Sequence, residues 1–409
     1  MHIEDMDANG ESIEELKGLR ISSLDEEEEE SKEEYMNEVD DDEDEVLVTL
    51  GFVQKPKNNR ELLRQVFPSK AGGVPAWLDP ESLPSGKSCF CDICGKPLQF
   101  LLQIYAPISE KDYAFHRTLF VFMCPYMTCL LRDQHEQWKR EPEIPSRSVK
   151  VFRCQLSRTN AFYKYESPKY DGSDEPLGVG ATLCAWCGTW KGNEKCSTCK
   201  TAHYCSKEHQ VMHWRGGHKP ECQKLRAIKS LKDNNIDGRS SLYEMPQEVA
   251  SKTLWPEFKI EEDYECDFSG SDTDEHSMSL VTTQATDKSS KSTFDCFEGD
   301  DEKISAAIFQ ERIARAPEQI LRYSRDERAE PLWPTSSGRP SRSDIPKCSY
   351  CCGRMTFEFQ ILPQLLYFFG VKNEADSLDW ATIVVHTCAD SCEDSVSYKE
   401  EFAWVQLNS

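Results

Sequence analysis

Residues 184–222 read CAWCGTWKGNEKCSTCKTAHYCSKEHQVMHWRGGHKPEC and place eight potential metal ligands in 39 positions. They come in pairs: Cys184-x2-Cys187, Cys196-x2-Cys199, Cys205-x3-His209 and His218-x3-Cys222. A C-x2-C turn lets two thiolates reach one ion. C-x3-H and H-x3-C put two ligands one helical turn apart on one face. Four pairs make two tetrahedral zinc sites, closed and therefore structural. Only eight residues separate Cys187 from Cys196, among them Gly188 and Gly192, too few to give each site its own fold. The pairs are therefore expected to interleave, the first with the third and the second with the fourth. His213 is a ninth candidate. Its place four residues after His209 makes it a competitor, and the one-turn spacing to Cys222 favours His218.

The order of these pairs, with Tyr204 before Cys205, Gln210 after His209 and Trp214 ahead of His218, resembles the MYND zinc finger. The sixth ligand, usually Cys, is His209 here. The resemblance implies a protein-binding module in which Gln210 and Trp214 line a groove for proline-rich peptide. On the residues alone, Trp214 reads equally well as a core aromatic packed on the zinc knuckles.

Composition sets the frame. Hydrophobic residues are 38% of the 409 and charged residues 29%, which points to folded parts mixed with disordered ones. The first 20 residues carry no signal-peptide pattern, and no run of about 18 apolar residues exists to span a membrane. Nineteen cysteines without an export signal argue for metal ligation in a reducing compartment. The expected location is the cytoplasm, with the nucleus as a second compartment. Net charge is −24, and residues 1–45 hold 21 Asp/Glu against three Lys/Arg. That tail is too repulsive to fold alone. Nucleic acid is a poor partner for so acidic a chain, because its binding rests on Lys and Arg at phosphates.

Outside the finger, strands are expected where apolar residues alternate: Val46–Phe52, Leu98–Ile104, Leu119–Met123, Val149–Leu156, Phe357–Ile361, Thr382–His386 and Phe402–Leu407. Ile304–Ile308 and Phe309–Ile313 are i,i+4 pairs of an amphipathic helix. Between 232 and 302 the chain is polar and acidic and reads as disordered, with Trp255-Pro256-Glu257-Phe258 as a short anchor. Two more sets of cysteines sit at strand ends: Cys91, Cys94, Cys124 and Cys129, then Cys348, Cys351, Cys388 and Cys392. Each set is read as one further structural zinc site, against the alternative of small buried thiols. A shift of 257 residues superposes Cys91, Cys94, Phe100, Gln103 and Ile104 on Cys348, Cys351, Phe357, Gln360 and Ile361, which indicates a duplicated unit.

The expected fold is thus mainly β with short helices (α+β). Two related β-rich halves, 46–166 and 303–409, pack together around an inserted zinc-stapled finger at 184–222. A disordered acidic tail (1–45) and a disordered acidic linker (232–302) complete it. Because each half has its own apolar strands, the halves are expected to survive loss of the finger.

PEQILRY at 317–323, PLW at 331–333, CSYCCG at 348–353, FEFQILPQLL at 357–366 and TC-x3-C at 387–392 form a distinctive C-terminal run. With GFV at 51–53, GGVPAWL at 72–78 and the finger between, the chain resembles the programmed cell death protein 2 family over about 46–225 and 303–409. The resemblance implies a dedicated, non-enzymatic chaperone of one basic small-subunit ribosomal protein, the universal S five protein (eukaryotic S two), in ribosome biogenesis. The alternative is a MYND-type transcriptional co-regulator that binds proline-rich partners and is linked to proliferation or programmed cell death. No Walker A loop, HExxH, GxSxG or SET-type motif is present, so no catalytic site is expected.

Overall fold

The computed structural model describes residues 46–139, 146–169, 180–232, 249–268, 301–374 and 376–408. In chain order the strands are β1 (Thr49–Gln54), β2 (Lys70–Ala71), β3 (Gln99–Tyr105), β4 (His116–Met123), β5 (Val149–Leu156), β6 (Glu194–Lys195), β7 (His203–Tyr204), β8 (Phe258–Tyr264), β9 (Leu321–Tyr323), β10 (Met355–Ile361), β11 (Thr382–Cys388) and β12 (Tyr398–Gln406). The helices are α1 (Met127–Gln137), α2 (Lys207–His213), α3 (Lys219–Lys232), α4 (Asp301–Arg315) and α5 (Gln364–Phe368).

Every residue of β4 is buried, so this strand is covered on both faces. Leu119, Val121 and Met123 join one core; Phe120 and Phe122 join another. The first core also takes Val149, Val151, Ile383, Val385, Ala403 and Val405, and a ring of strands encloses it. That ring is a closed antiparallel barrel in the order β1-β8-β2-β3-β4-β5-β12-β11-β10-β9, with β9 returning to β1. Closure leaves the ring without a free edge, which removes the usual site of edge-to-edge association.

The duplication is visible as a pseudo-two-fold arrangement of this barrel. The runs β2-β3-β4-β5 and β9-β10-β11-β12 are equivalent, and they meet where β5 pairs with β12. Both β3 and β10 carry a bulge at the same repeat position, between Phe100 and Leu102 and between Phe357 and Phe359. The repeated glutamines do the same work. Gln103 Oε1 accepts from Ala76 N at 2.8 Å, and Gln360 Oε1 accepts from Leu332 N at 2.6 Å. Each clasps the passing backbone just ahead of a tryptophan, Trp77 or Trp333.

The two halves pack together as one barrel, and they exchange strands to do so. β1 precedes β2 in the chain but pairs with β8 and β9. β8 precedes β9 but pairs with β1 and β2. Each half therefore lends its first strand to the other. This corrects the reading of 232–302 as a disordered linker with only a short anchor at 255–258, because residues 249–268 supply β8, without which the ring does not close. The strand was hidden because Ile260 is its only fully buried residue. The acidic tail 1–45 and the rest of that middle stretch lie outside the described residues.

β8 is seated through the Gly72-Gly73 turn. Gly73 N donates to Trp255 O at 3.0 Å, and Gly72 has φ +68°. A Cβ on Gly72 would lie 1.9 Å from Pro256 O. Gly72→Ala should therefore cost more than the ~1–2 kcal/mol of a left-handed L-residue alone, because backbone must also move. A urea midpoint within error of the parent protein would refute this seating.

Candidate metal centres

Four C-x2-C turns share one backbone geometry. The residue after the second cysteine donates its N–H to the carbonyl of the first: Gly95 to Cys91 (2.8 Å), Gly188 to Cys184 (2.8 Å), Lys200 to Cys196 (2.9 Å) and Cys352 to Cys348 (2.9 Å). All four donors have positive φ, 70°, 64°, 60° and 59°. Glycine takes this conformation freely, so Gly95 and Gly188 were legible as turn residues. Lys200 and Cys352 hold it without that freedom.

Each turn is completed by a second pair from a distant element. Cys91 and Cys94 meet Cys124, at the end of β4, and Cys129, in the first turn of α1; that helix accounts for the long x4 spacing. Cys348 and Cys351 meet Cys388, the last residue of β11, and Cys392. In the finger, Cys184, Cys187, Cys205 and His209 form one group, and Cys196, Cys199, His218 and Cys222 the other. The finger pairs interleave.

The spacings fit a tetrahedral ion. A zinc–sulfur bond of about 2.3 Å implies sulfurs roughly 3.75 Å apart. The observed separations are 3.6 Å for Cys94–Cys124, 3.9 Å for Cys187–Cys205, 3.7 Å for Cys196–Cys222, 3.7 Å for Cys348–Cys392 and 3.6 Å for Cys351–Cys388. His218 Nε2 lies 3.6 Å from Cys199 Sγ, and His209 Nδ1 3.7 Å from Cys184 Sγ. Two four-thiolate sets and two with three thiolates and one imidazole are donor chemistry that suits zinc, and no coordination position is left open.

In each four-residue set one thiol, Cys91, Cys184, Cys196 or Cys351, is held low, while others of the same set, such as Cys124, Cys205, Cys222 and Cys392, are raised. A hydrogen bond from Cys124 holds Cys91 down to about 5. Hydrogen bonds from Cys187 and Cys205 hold Cys184 far below the usual thiol range. The Gly353 N–H lowers Cys351. Burial pushes Cys89 and Cys154 up to about 12, as it does Cys129, but neither Cys89 nor Cys154 belongs to a four-residue set; they are packing thiols.

His213 stands outside both four-ligand groups. Its Nδ1 meets the Tyr204 hydroxyl at 3.1 Å, and its ring stacks on His218 at 4.7 Å. Trp214 is 41% exposed, so it is not the core aromatic that packs the knuckles. Gln210 is half-buried. A small cavity of about 90 Å³ opens where finger meets barrel, lined in part by Lys96, Tyr126, Trp186, His209 and Met212; neither Gln210 nor Trp214 borders it.

The tryptophan that does pack is Trp190, which sequence reasoning passed over. It is 1% exposed, its ring centre 4.4 Å from that of Phe122 and 5.8 Å from that of Trp77. Trp190 Nε1 donates to Leu98 O at 2.7 Å, and Trp77 Nε1 donates back to Thr189 O at 2.9 Å. Finger and barrel wall therefore share one core of Phe100, Phe120, Phe122, Phe152 and Trp190. Loss of the finger would therefore uncover part of the barrel wall, which bears on the expectation that the halves survive it. The one available signal was a large apolar residue inside a polar knuckle.

Four-ligand knuckles of a kind that suits zinc, set on a sealed barrel with a finger of a protein-interaction class docked on its wall, define a binding scaffold. The family comparisons give the particular case. Residues 47–170 match the Programmed cell death protein 2, N-terminal domain; residues 305–407 match the Programmed cell death protein 2, C-terminal putative domain; residues 184–222 match the MYND finger. Programmed cell death protein 2 of Rattus norvegicus is 39% identical over 371 residues, covering 88% of this chain and 96% of the relative. Programmed cell death protein 2-like of Mus musculus is 27% identical over 349 residues, 79% of this chain and 85% of the relative. A shorter match, 30% over 116 residues, is to the Probable 20S rRNA accumulation protein 4 of Schizosaccharomyces pombe, 24% of this chain and 27% of that protein. No solved structure matches the chain. The chain belongs to the programmed cell death protein 2 family. None of the three matched family models is a catalytic domain.

Proposed function

We propose that the protein is a non-enzymatic chaperone that holds a basic small-subunit ribosomal protein in the cytoplasm, and also in the nucleus, until it joins the assembling subunit. The segregation of charge carries this reading. The described residues hold 41 Lys/Arg and 35 Asp/Glu, a net of +6. The whole −24, and more, resides in the remaining stretches, 1–45 above all. Acidic segments attached to a near-neutral, edge-free scaffold suit capture of a basic, aggregation-prone client, speeding encounter at low salt. The printed name of the fission-yeast relative, which concerns 20S rRNA accumulation, supports a link to ribosome production. The zinc staples keep the scaffold rigid, and the finger adds a second binding surface.

Affinity capture from translating cells tests this, with the full chain and with a chain lacking residues 1–45. One basic small-subunit ribosomal protein should dominate the full-length eluate, and its recovery should fall on tail deletion and on raising salt. An eluate of chromatin or proline-rich proteins without any ribosomal protein would replace the chaperone reading by that of a co-regulator.

A further inference from the structure

The finger is a basic island in an acidic chain. Between residues 184 and 232 ten Lys/Arg stand against three Glu, a net of +7. Each three-thiolate, one-imidazole zinc site leaves about one negative charge, so the loaded finger stays near +5. Two of the three acids are engaged. Glu208 lies 3.8 Å from Lys96 of the barrel, and Glu221 lies 3.8 Å from His218 and 3.9 Å from His213. Six of the cations are not. Lys195, Lys200, Lys207, Arg215, Lys219 and Lys224 are exposed, and none of these side chains has a hydrogen-bond or ion-pair partner among the described residues.

Their arrangement has a face. In α2 and the turn after it, Lys207, Val211, Trp214 and Arg215 fall at i, i+4, i+7 and i+8, one side of a helix. All four are exposed, Val211 by 40% and Trp214 by 41%. His209, His213 and His218 occupy the other side, toward the zinc sites. Lys219 and Lys224 continue the positive charge onto α3.

We infer that this outer face of the finger binds single-stranded RNA. Lysines are point charges suited to a tracking phosphate backbone, and an exposed tryptophan among them offers a stacking surface for a base. An acidic protein segment would be better served by paired arginine forks, and lysine predominates here. The chain's total charge argues against nucleic acid, but its distribution does not. The excess of acid falls in the stretches outside the described residues, which themselves carry a net of +6. The inference stands apart from the chaperone reading, since client capture and RNA binding can fail independently.

The test is fluorescence anisotropy of the full-length, zinc-loaded chain with a labelled single-stranded RNA of about 12 nucleotides. Affinity should fall with salt, with a log–log slope of about −0.7 for each phosphate neutralised. Lys207→Glu combined with Arg215→Glu should weaken binding at least about ten-fold, and Trp214→Ala about ten-fold through lost stacking. The milder pair Lys207→Gln and Arg215→Gln should still lose several-fold. Zinc content must stay at the parent value in every variant. Absence of binding at low salt overturns the inference. So does displacement by polyglutamate as effective as by RNA together with a silent Trp214→Ala, which would assign the face to an acidic protein segment.

Discussion

Purified protein should carry four zinc ions per chain, and Cys184→Ala should lower that to three while loosening the barrel wall as well as the finger. A structural zinc site contributes about 10–16 kcal/mol in finger peptides at neutral pH, comparable to the ~5–15 kcal/mol that holds a whole domain together. Loss of the Cys184 site frees the turn that carries Trp190. That ring is packed on Phe122 and Trp77, and its departure uncovers an aromatic face that includes Phe100 and Phe120. The expected result is a weakened near-UV circular dichroism signal and dye binding to the exposed face, at a temperature where the parent protein shows neither. Cys348→Ala should also leave three ions, but its damage should centre on the ends of β10 and β11, which Cys348, Cys351, Cys388 and Cys392 tie together. Metal analysis returning two ions would show the outer clusters to be plain thiols. An unchanged near-UV spectrum for Cys184→Ala would show that the halves survive loss of the finger.

The second large effect is electrostatic. Glu358 should be among the least replaceable residues outside the zinc sites, with Glu358→Ala costing about 3–5 kcal/mol. Its carboxylate takes two hydrogen bonds from Arg117, at 2.6 and 2.7 Å, and both side chains are essentially shut off from water. The Tyr323 hydroxyl donates to it at 3.1 Å, the Thr387 hydroxyl donates to it as well, and Arg325 stands at 3.4 Å. Arg117 belongs to β4 in the first half and Glu358 to the bulge of β10 in the second. Truncating Glu358 strands a buried guanidinium, whereas Arg117→Met with Glu358→Leu removes both charges and should recover much of the loss. A second cross-half pair, Arg153 with Glu401, reaches the C-terminal knuckle, where Arg153 donates to Cys392 O at 3.2 Å and Cys388 N donates to Glu401 at 3.0 Å.

The pH dependence follows from the same pair. Burial by itself would raise the Glu358 carboxyl, but Arg117 outweighs it and holds the group down to about 2. A depressed carboxyl stabilises the fold above its unfolded value, near 4.3, and that stability drains away as pH falls from there toward 2. Urea melts of the parent and of the double apolar variant between neutral pH and pH 3 should show the variant losing less. Equal slopes, or a Glu358→Ala cost under about 1 kcal/mol, would remove the pair from the list of structural determinants.

Much of this protein was legible in its sequence because the relevant forces are local. Cys184-x2-Cys187 and His218-x3-Cys222 announce themselves through the reach of a turn and of a helix, and the interleaving of the finger pairs follows from the short connection between Cys187 and Cys196. Strands such as Val149–Leu156 show in alternation, and the five coincidences at an offset of 257 show the duplication. What tertiary structure alone decided involves partners far apart in the chain. The polar FKIEEDY stretch becomes β8 because the open sides of β1 and β2 need backbone partners, and backbone hydrogen bonds leave no mark on side-chain pattern. Trp190 leaves the finger for the barrel wall because a knuckle of its size has no core in which to bury an indole. Arg117 finds Glu358 across 241 positions because closure of the ring brings both to one water-free place, where neither is tolerated without the other.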